Sequence, residues 1–473
     1  MSTIPVTYKK VSSPKTEIPL HRPELGAMVI DARLKRLRAR MRTAGFDAVI
    51  IYADREHAAN FAYLTDFVPR FEEALLLVME TGDPVMLLGN ENLMMADLSP
   101  LRSIRVHFPA LSLINQPRQD VGQLTSVLHR HGLSRGTMVG TVGWKYYGDQ
   151  DGCPPGAIEL PHWIVRAIAD AVEGPDANEP GGRGSLVRNA TRMFMSPQDG
   201  LRTELEADQI AQFEFSACLV ASSMMSLLRC ADFGCSELEL ASQLNSLGCP
   251  LSMHPQVSVG EKARYGLASP SGRRAVLGDF MTAAFGVAGA LSCRAAYLAY
   301  DGNDLPADCR NWLECIAMRY FATAVSWYRS IGVGVSGGRI YSMVRSLFPP
   351  EEFGWYLNPG HYIAEEEWVS SPFYENSDLE LRSGNYVQFD LIPSPKPPHF
   401  GANMEDGVVI ADEFLRAELR ERHPDVWARF ERRRKYAAKE IGLELPIDVL
   451  PISDILGYYI PFLRRKDYAL AVR

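Results

Sequence analysis

Apolar residues in the first third of the chain alternate between helical spacing and short unbroken runs. Residues 32–45 carry apolar side chains every three or four positions, which predicts an amphipathic helix that Asp31 caps and Gly45 ends. Another helix is predicted at 161–174. Five apolar runs predict buried strands, at 46–53, 73–80, 83–90, 104–110 and 137–143. Because helices and strands alternate, this part is predicted to be a small α/β domain with a mixed or parallel sheet.

The pattern changes after a segment rich in glycine and proline, 174–185, which is predicted to be a linker. Helices and strands then come in separate blocks, which indicates an α+β domain. Ser236 and Glu239 have the spacing of a capping box at the start of one helix. The other predicted elements are helices at 204–231, near 306–330 and at 337–347, and a strand–turn–strand unit at 384–411.

These patterns divide the chain into four parts. They are an N-terminal arm (1–30), an α/β domain (31–173), the linker (174–185) and a larger domain (186–473). The larger domain ends in a charged amphipathic helix, and the basic residues 432–435 are predicted to form its exposed face.

Composition narrows the possible partners and the compartment. The 57 acidic residues outnumber the 49 basic ones, giving a net charge of -8, which argues against nucleic acid or an anionic membrane as a partner. The first 30 residues lack a signal-peptide pattern, and no run of 18 apolar residues predicts a membrane span. Eight scattered cysteines without a CxxC pair are typical of buried thiols in the cytoplasm.

Several polar residues stand where chemistry is expected. His361 follows an Asn-Pro-Gly turn and precedes three glutamates, so it is a candidate acid–base residue or metal ligand, or part of a solvated loop. Of those glutamates, we expect Glu367 to point inward. Asp390 lies among apolar neighbours in VQFDLIP, where an unpaired acid is costly to bury, and Glu405 has a similar setting. Cys293 is a buried thiol, a metal ligand or a nucleophile.

Four blocks of sequence together resemble the pita-bread superfamily, which contains methionine aminopeptidase, aminopeptidase P, prolidase and creatinase. The blocks are ARLKRLRARMRTAGFDAVIIYADREHAANFAYLTDF, VRNATRMFMSPQDGLRTELEADQIA, NPGHYIA, and LRSGNYVQFDLIP followed by NMEDGVVIAD. The resemblance implies a small α/β N-terminal domain, an α+β pita-bread domain and a homodimer.

The resemblance also implies a metal centre, which this sequence keeps only in part. Catalytic members hold two metals with two aspartates, a histidine and two glutamates. His361 and Glu405 match the histidine and one glutamate, and Asp390 falls at the other glutamate. The first aspartate position holds Ala284, and the second holds either Cys293 or Ala295. We therefore expect no dinuclear centre.

Creatinase, which hydrolyses a C–N bond without metal, is similar only in part. Its catalytic histidine would fall within RYGLASPSGRR, which contains none. At its position in the family this segment would overhang the site, where Arg273 or Arg274 is a candidate for binding an anionic group, and a plain surface turn is the alternative. Arg294 is a further candidate for a substrate carboxylate. Trp368 stands where the family's peptidases have a second histidine, and it is a candidate substrate contact.

Three functions remain open at this point. The first is a hydrolase of the creatinase and aminopeptidase type, cleaving a C–N bond in a small amino-acid-like or dipeptide-like substrate without a cofactor. The second is a mononuclear metallohydrolase in which Cys293, His361, Asp390 and Glu405 hold one zinc or iron ion. The third is an inactive binding or scaffold protein.

Overall fold

The computed structural model describes residues 4–117, 121–148, 151–176 and 178–473. The chain forms two compact units. We call Leu25–Arg202 the N-terminal unit, and Met1–Glu24 together with Thr203–Arg473 the C-terminal unit. The N-terminal unit is α/β and the C-terminal unit is α+β, so the predicted fold class is confirmed.

A six-stranded mixed sheet is the centre of the N-terminal unit. Its strands are β2 (Ala48–Ala53), β3 (Ala74–Met79), β4 (Val85–Leu88), β5 (Ile104–His107), β6 (Val139–Val142) and β7 (Val187–Asn189). They lie in the order β5-β4-β3-β2-β6-β7. The apolar side chains of β2 to β4 are almost completely buried, which is why these strands read as unbroken apolar runs.

Helices pack around that sheet. They are α1 (Ala27–Ala44), α2 (Ala59–Thr65), α3 (Asn92–Met95), α4 (Leu124–Arg130), α5 (His162–Val172) and α6 (Arg192–Met195). Gly45 ends α1 with φ 74°, a left-handed conformation that favours glycine, as predicted. The predicted start is wrong, because α1 begins at Ala27 after Gly26, so Asp31 lies inside the helix.

The predicted linker lies inside the N-terminal unit, and the boundary between the units falls at 202/203. The segment connects α5 to β7, which pairs in parallel with β6. The Glu173 carboxylate accepts hydrogen bonds from Ser185 Oγ at 2.9 Å and from Leu186 N at 2.6 Å. Gly181 N donates to Val187 O at 2.8 Å. The glycines and prolines therefore belong to the loop of a crossover connection rather than to a link between units.

The C-terminal unit contains two four-stranded sheets. The first has the order β13-β10-β9-β8 and the second β11-β12-β14-β15. Their strands are β8 (Met253–Val259), β9 (Phe280–Val287), β10 (Ala290–Tyr297), β11 (His361–Tyr362), β12 (Tyr386–Gln388), β13 (Asn403–Glu405), β14 (Gly407–Ile410) and β15 (Val449–Pro451). The turn from Glu405 to Gly407 carries the chain directly from the first sheet to the second.

The helices of this unit are α7 (Ala207–Cys230), α8 (Glu237–Ala241), α9 (Met318–Ser330), α10 (Gly337–Leu347), α11 (Pro350–Phe353), α12 (Glu413–Arg422) and α13 (Pro424–Tyr436). The capping box of Ser236 and Glu239 is present at the start of α8. Helix α7 is long and apolar enough to cross a membrane by length and composition, but 89% of its apolar window is buried inside the protein.

The ends of the chain pair with each other. Strand β1 (Val6–Lys10) runs antiparallel to β16 (Tyr468–Val472) over five residue pairs. Tyr8 packs against Phe462 and Tyr468, with ring centroids 5.9 Å and 5.3 Å away. The arm predicted from the sequence, residues 1–30, thus contributes a strand to the C-terminal unit. Residues 1–24 of the arm belong to that unit, and the rest belongs to the N-terminal unit.

The prediction that residues 432–435 form an exposed face is wrong for Arg433. Its guanidinium is buried and forms ion pairs with Glu214 on α7 and with Asp454. Arg432 also reaches Asp454, at 3.1 Å. Of the basic residues of α13, Lys435 is therefore exposed, whereas Arg433 lies in a buried ionic cluster with Glu214 and Asp454.

Candidate active site

A close approach of two backbone segments fixes the position of His361. His361 begins β11 and lies opposite Gln388 on β12. The preceding Gly360 has φ 133°. A Cβ at Gly360 would lie 2.7 Å from the Gln388 carbonyl oxygen and 3.1 Å from the rings of Phe373 and Trp327. Only glycine therefore allows the Asn-Pro-Gly turn to bring the histidine this close to β12.

Two acidic residues meet the imidazole of His361. Asp390 follows β12 by two residues, and Glu405 is the last residue of β13 in the other sheet. His361 Nε2 lies 3.6 Å from Asp390 Oδ2 and 3.5 Å from Glu405 Oε1. All three side chains are buried. The structure thus brings together three residues that are widely separated in the sequence.

Neighbouring groups orient these side chains. His361 Nδ1 lies 3.2 Å from the Tyr362 carbonyl oxygen. A proton on Nδ1, donated to that carbonyl, leaves Nε2 unprotonated and facing the acids. Gln388 Nε2 donates to Glu405 Oε1 at 2.8 Å, and the Trp368 ring stacks on the imidazole at 4.3 Å. Sequence reasoning missed Gln388, although its position two residues before Asp390 placed both on one face of the strand.

The strand register distinguishes the two candidates for the second aspartate position. Cys293 lies opposite Ala284 on β9 and opposite Glu405 on β13. As direct cross-strand neighbours, Cys293 and Glu405 have side chains on the same face of the sheet. Ala295 lies two residues farther along β10, opposite Asn403. The register therefore favours Cys293 as the residue beside the acidic pair.

These residues line a pocket of about 430 Å³ within the C-terminal unit. Glu367 lines it as well, whereas Glu365 and Glu366 do not. Glu365 accepts a hydrogen bond from Gln209 at 2.8 Å. Apolar and aromatic side chains make up much of the wall: Leu267, Phe280, Leu357, Trp368, Ile392 and Phe400.

Burial raises the pKa of every acidic group in the pocket. Burial raises the pKa of Glu405 from its ordinary 4.5 to about 8, and the nearby charge of Glu367 adds to the rise. Burial and then the charge of Glu405 raise the pKa of Asp390 well above its usual range. Burial likewise raises the pKa of Glu367 and of the Cys293 thiol. A pKa of about 8 makes the Glu405 carboxyl group available at neutral pH as a hydrogen-bond donor.

Arg294 does not serve the pocket as a carboxylate binder. Its guanidinium is buried and pairs with Asp406 at 2.6 Å. The same group donates to the carbonyl oxygens of Ile455 and Tyr458. Arg294 therefore fixes the strand that carries Glu405, and the expectation that it binds substrate is wrong because its donors are already used.

The arginines expected to overhang the site also point elsewhere. Arg273 pairs with Asp279 at 3.4 Å, and Arg274 pairs with Glu239 at 3.2 Å. Neither lines the pocket. Besides Arg294, the pocket is lined by Arg264, which the sequence gave no signal to select.

Arg264 holds a proline-rich loop against the pocket. Its guanidinium lies 3.8 Å from the centre of the Phe400 ring and donates to the carbonyl oxygens of Pro398 and His399, both at 3.0 Å. Its Nε lies 2.9 Å from Glu261. Arg264 thus shapes the wall, and all three of its nitrogens have protein partners.

The residues present do not fit a dinuclear metal centre. Ala284 has no donor atom, and the protonated Cys293 thiol is a poor replacement for a bridging carboxylate. They do fit a single ion, since donor atoms of His361, Asp390 and Glu405 all lie within 4.8 Å of one another. Tetrahedral ligands about 2.1 Å from an ion are spaced about 3.4 Å apart, close to the separations from His361 Nε2. Asp390 Oδ1 is also buried without a hydrogen-bond partner in the described part of the chain.

Part of the N-terminal unit matches a known family model. Residues 33–138 match the creatinase/prolidase N-terminal domain. An Xaa-Pro dipeptidase from Bacillus anthracis superposes on the chain with a TM-score of 0.60 and 17% identity, over 81% of this chain and 96% of the dipeptidase. This is the pita-bread fold. The expectation drawn from the four sequence blocks is therefore confirmed for the fold.

Other pita-bread structures superpose equally widely. A prolidase from Pyrococcus horikoshii OT3 has a TM-score of 0.60 and 13% identity, over 80% of this chain and 95% of its own. Aminopeptidase P from Escherichia coli has a TM-score of 0.55 and 13% identity, over 82% and 93%. No curated protein matches the sequence. At such low identities the likeness establishes the fold alone.

Proposed function

We propose that the chain is a hydrolase that cleaves a C–N bond in a small amino-acid-like or dipeptide-like molecule, with His361 as its acid–base residue and without a dinuclear metal centre. One observation carries this proposal. His361 Nε2 lies 3.5 Å and 3.6 Å from two buried carboxyl groups, inside a pocket of about 430 Å³. Pockets that bind small ligands have volumes of about 300–1,000 Å³ and contain a few polar groups that face the same point in the cavity.

The geometry assigns a role to each group. Unprotonated Nε2 accepts a proton from the attacking water as the water oxygen bonds to carbon, and the imidazolium returns that proton to the leaving nitrogen as the C–N bond breaks. Protonated Asp390 or Glu405 donates a hydrogen bond to the oxygen or nitrogen that gains negative charge on the same carbon. Glu367 binds substrate, and the Trp368 ring keeps the imidazole plane in place.

The test is turnover by a His361→Ala variant. A screen of small amides, amidines and N-substituted amino acids supplies the substrate. We expect His361→Ala to lower kcat by about 10²–10⁴-fold, the usual contribution of a positioned acid–base group. His254→Ala, an exposed histidine of the same unit, should leave kcat unchanged. Normal turnover by His361→Ala, with its fold intact by circular dichroism, would show that the proposal is wrong.

A mononuclear metallohydrolase is the second candidate, and the spacing of the three donor atoms favours it. His361, Asp390 and Glu405 would hold a zinc or iron ion, with Cys293 alongside. Such an ion would act as a Lewis acid toward a carbonyl oxygen. Elemental analysis of protein purified without chelators or a polyhistidine tag separates the candidates. One ion per chain, lost in His361→Ala but kept in His254→Ala, would favour the metal-dependent candidate.

The setting of the enzyme is part of the proposal. The eight cysteines are all free, as expected of a cytoplasmic enzyme. We place a homodimer of this chain in the cytoplasm, acting on a small molecule. Sedimentation of the purified chain at about twice its 52.7 kDa mass is the expected result, and a monomer would contradict the dimer.

A further inference from the structure

The pocket gathers acidic groups for which the protein supplies no free cationic partner. Its charged lining residues, within the described parts of the chain, are Glu367, Asp390, Glu405, Arg264 and Arg294. Arg294 is paired with Asp406, and Arg264 with Glu261 and two carbonyl oxygens. Three acids therefore face the cavity opposite one histidine. Burial favours the neutral form of such acids in the ligand-free protein, whereas a cation that enters with the ligand favours their ionised form.

Unused hydrogen-bond acceptors point the same way. Asp390 is 6% exposed, and its Oδ1 has no hydrogen-bond partner among the described residues. Asn403 Oδ1 is a second buried acceptor on the pocket wall, also without a partner there. Asn403 lies two residues before Glu405 on β13, opposite Ala295. Acceptors left unpaired in a cavity are satisfied by a ligand that brings N–H donors.

The remaining wall would contact the uncharged part of such a ligand. Phe280 and Phe400 stack on each other at 4.8 Å, and Leu357, Trp368 and Ile392 add further apolar surface. Each of the two lining arginines already pairs with an acid of the protein, Arg294 with Asp406 and Arg264 with Glu261, so neither is an unpaired cation for a substrate carboxylate.

We propose that the substrate of this pocket is an organic cation, a protonated amine, amidine or guanidine without a carboxylate, whose N–H groups are bound by Asp390, Glu367 and Asn403. This inference rests on the proposed function in taking the pocket as the active site. It narrows that function, because an ordinary zwitterionic dipeptide would leave its carboxylate unpaired. The cationic nitrogen is the partner that favours ionisation of the acids, and the apolar part of the molecule contacts the aromatic wall.

The inference is tested by binding, without turnover. Benzamidine, benzamide and benzoate have nearly the same shape but carry positive, zero and negative charge at pH 7.5. Calorimetry on the full chain should show benzamidine binding at least about tenfold more tightly than benzamide, a difference of about 1.4 kcal/mol, with no binding of benzoate. Equal binding of all three, or preferred binding of benzoate, would overturn the inference.

Charge-removing variants locate the site. Asp390→Asn and Glu367→Gln should each weaken benzamidine binding by about tenfold and leave benzamide binding unchanged. Glu375→Gln removes an exposed acid of the same unit and should change neither. Glu367 is only partly buried, so its variant remains informative if Asp390→Asn fails to fold. Unchanged benzamidine binding by a folded Glu367→Gln and a folded Asp390→Asn would contradict the assignment.

Binding measurements on the same protein distinguish an organic cation from a metal ion as the ligand. Benzamidine affinity should be the same with and without a chelator. If zinc binds in an Asp390-dependent way and benzamidine does not bind, the missing cation is a metal and the inference is wrong. Failure of the proposed hydrolysis is distinguishable, because a pocket that prefers benzamidine while no tested amide or amidine is turned over would refute the activity and keep the cation specificity.

Discussion

Glu405 carries a carboxyl group that burial holds in its neutral form, and this has a thermodynamic consequence. Its pKa is about 8 in the folded chain against an ordinary value of 4.5, so the folded state binds an extra proton between these pH values. Stability must therefore fall as pH rises through this range, by about 1.4 kcal/mol for each unit of pKa difference. This loss of stability arises at Glu405, beside the position where a bound cationic ligand would stabilise the ionised carboxylate.

Replacing Glu405 by glutamine removes the titration while the amide oxygen can still accept from Gln388. We expect Glu405→Gln to raise the free energy of unfolding of the ligand-free protein at pH 8.5 and to change it little at pH 5. Urea denaturation at the two pH values measures this difference. Glu375→Gln is the control and should show no such pH-dependent gain. If Glu405→Gln is equally destabilising at both pH values, the carboxyl group is ionised in the folded protein.

At the scale of single elements, helix α13 shows how charge can hide a buried position. Its buried residues Val426, Phe430 and Arg433 recur at spacings of four and three, the period of a core-facing stripe. Arg433 sits on that stripe because Glu214 and Asp454 neutralise it. The charge of the basic run predicted a solvated face, whereas its periodicity indicates a buried position at Arg433. The acidic partners, Glu214 and Asp454, are too distant in the sequence for a local pattern to reveal them.

The buried cluster makes a sharp prediction for stability. Arg433→Ala leaves Glu214 and Asp454 buried with fewer partners, although Arg429 still pairs with Glu214 at 2.6 Å. We expect a loss of about 3–5 kcal/mol, the usual cost of breaking a buried ion pair. Lys435→Ala, an exposed neighbour on the same helix, should change stability by less than about 0.5 kcal/mol. Thermal unfolding of both variants measures the contrast, and similar melting temperatures would contradict the cluster's role.

The elements of the fold were predictable where a local pattern decides them. Apolar runs predicted β2 to β6, and the capping box predicted the start of α8, because these signals lie within a few residues. Where the chain is joined by long-range pairing, local pattern failed. Strand β7 is three residues long and has one fully buried side chain, too little to stand out after a loop rich in glycine and proline.

The candidate site was predictable only as far as individual residues. His361, Asp390 and Glu405 stood out as polar residues in strand or turn settings, and the structure brings them together. The arginines could not be assigned, since the Asp406 partner of Arg294 and the two carbonyl partners of Arg264 lie more than 100 residues away in the sequence. Whether an arginine can bind a substrate depends on the acids and carbonyl groups that pack beside it, and these contacts are set by the tertiary structure.

At the scale of the whole molecule, the boundary at 202/203 places all six strands of the mixed sheet, including β7, in the N-terminal unit. Val187 belongs to the same buried apolar cluster as β2 and α5. Thr191 Oγ1 accepts from Gly143 N at 3.0 Å, and Arg202 donates to Asn60 at 2.9 Å. Residues 186–202 therefore complete the core of this unit.

The division predicts which fragment folds alone. A fragment of residues 25–202 keeps β7, the Thr191 and Arg202 contacts and the whole of α1, so we expect it to unfold cooperatively, with dispersed amide signals in an NMR spectrum. The fragment 31–173 lacks β7 and the first turn of α1. It uncovers the edge of β6 and removes Val187 from the core, and we expect it to aggregate or to melt without a transition. Both fragments contain the strands β2 to β6, so the comparison isolates the ends. A stable, dispersed 31–173 fragment alongside an unfolded 25–202 fragment would place the boundary back at the glycine-rich segment.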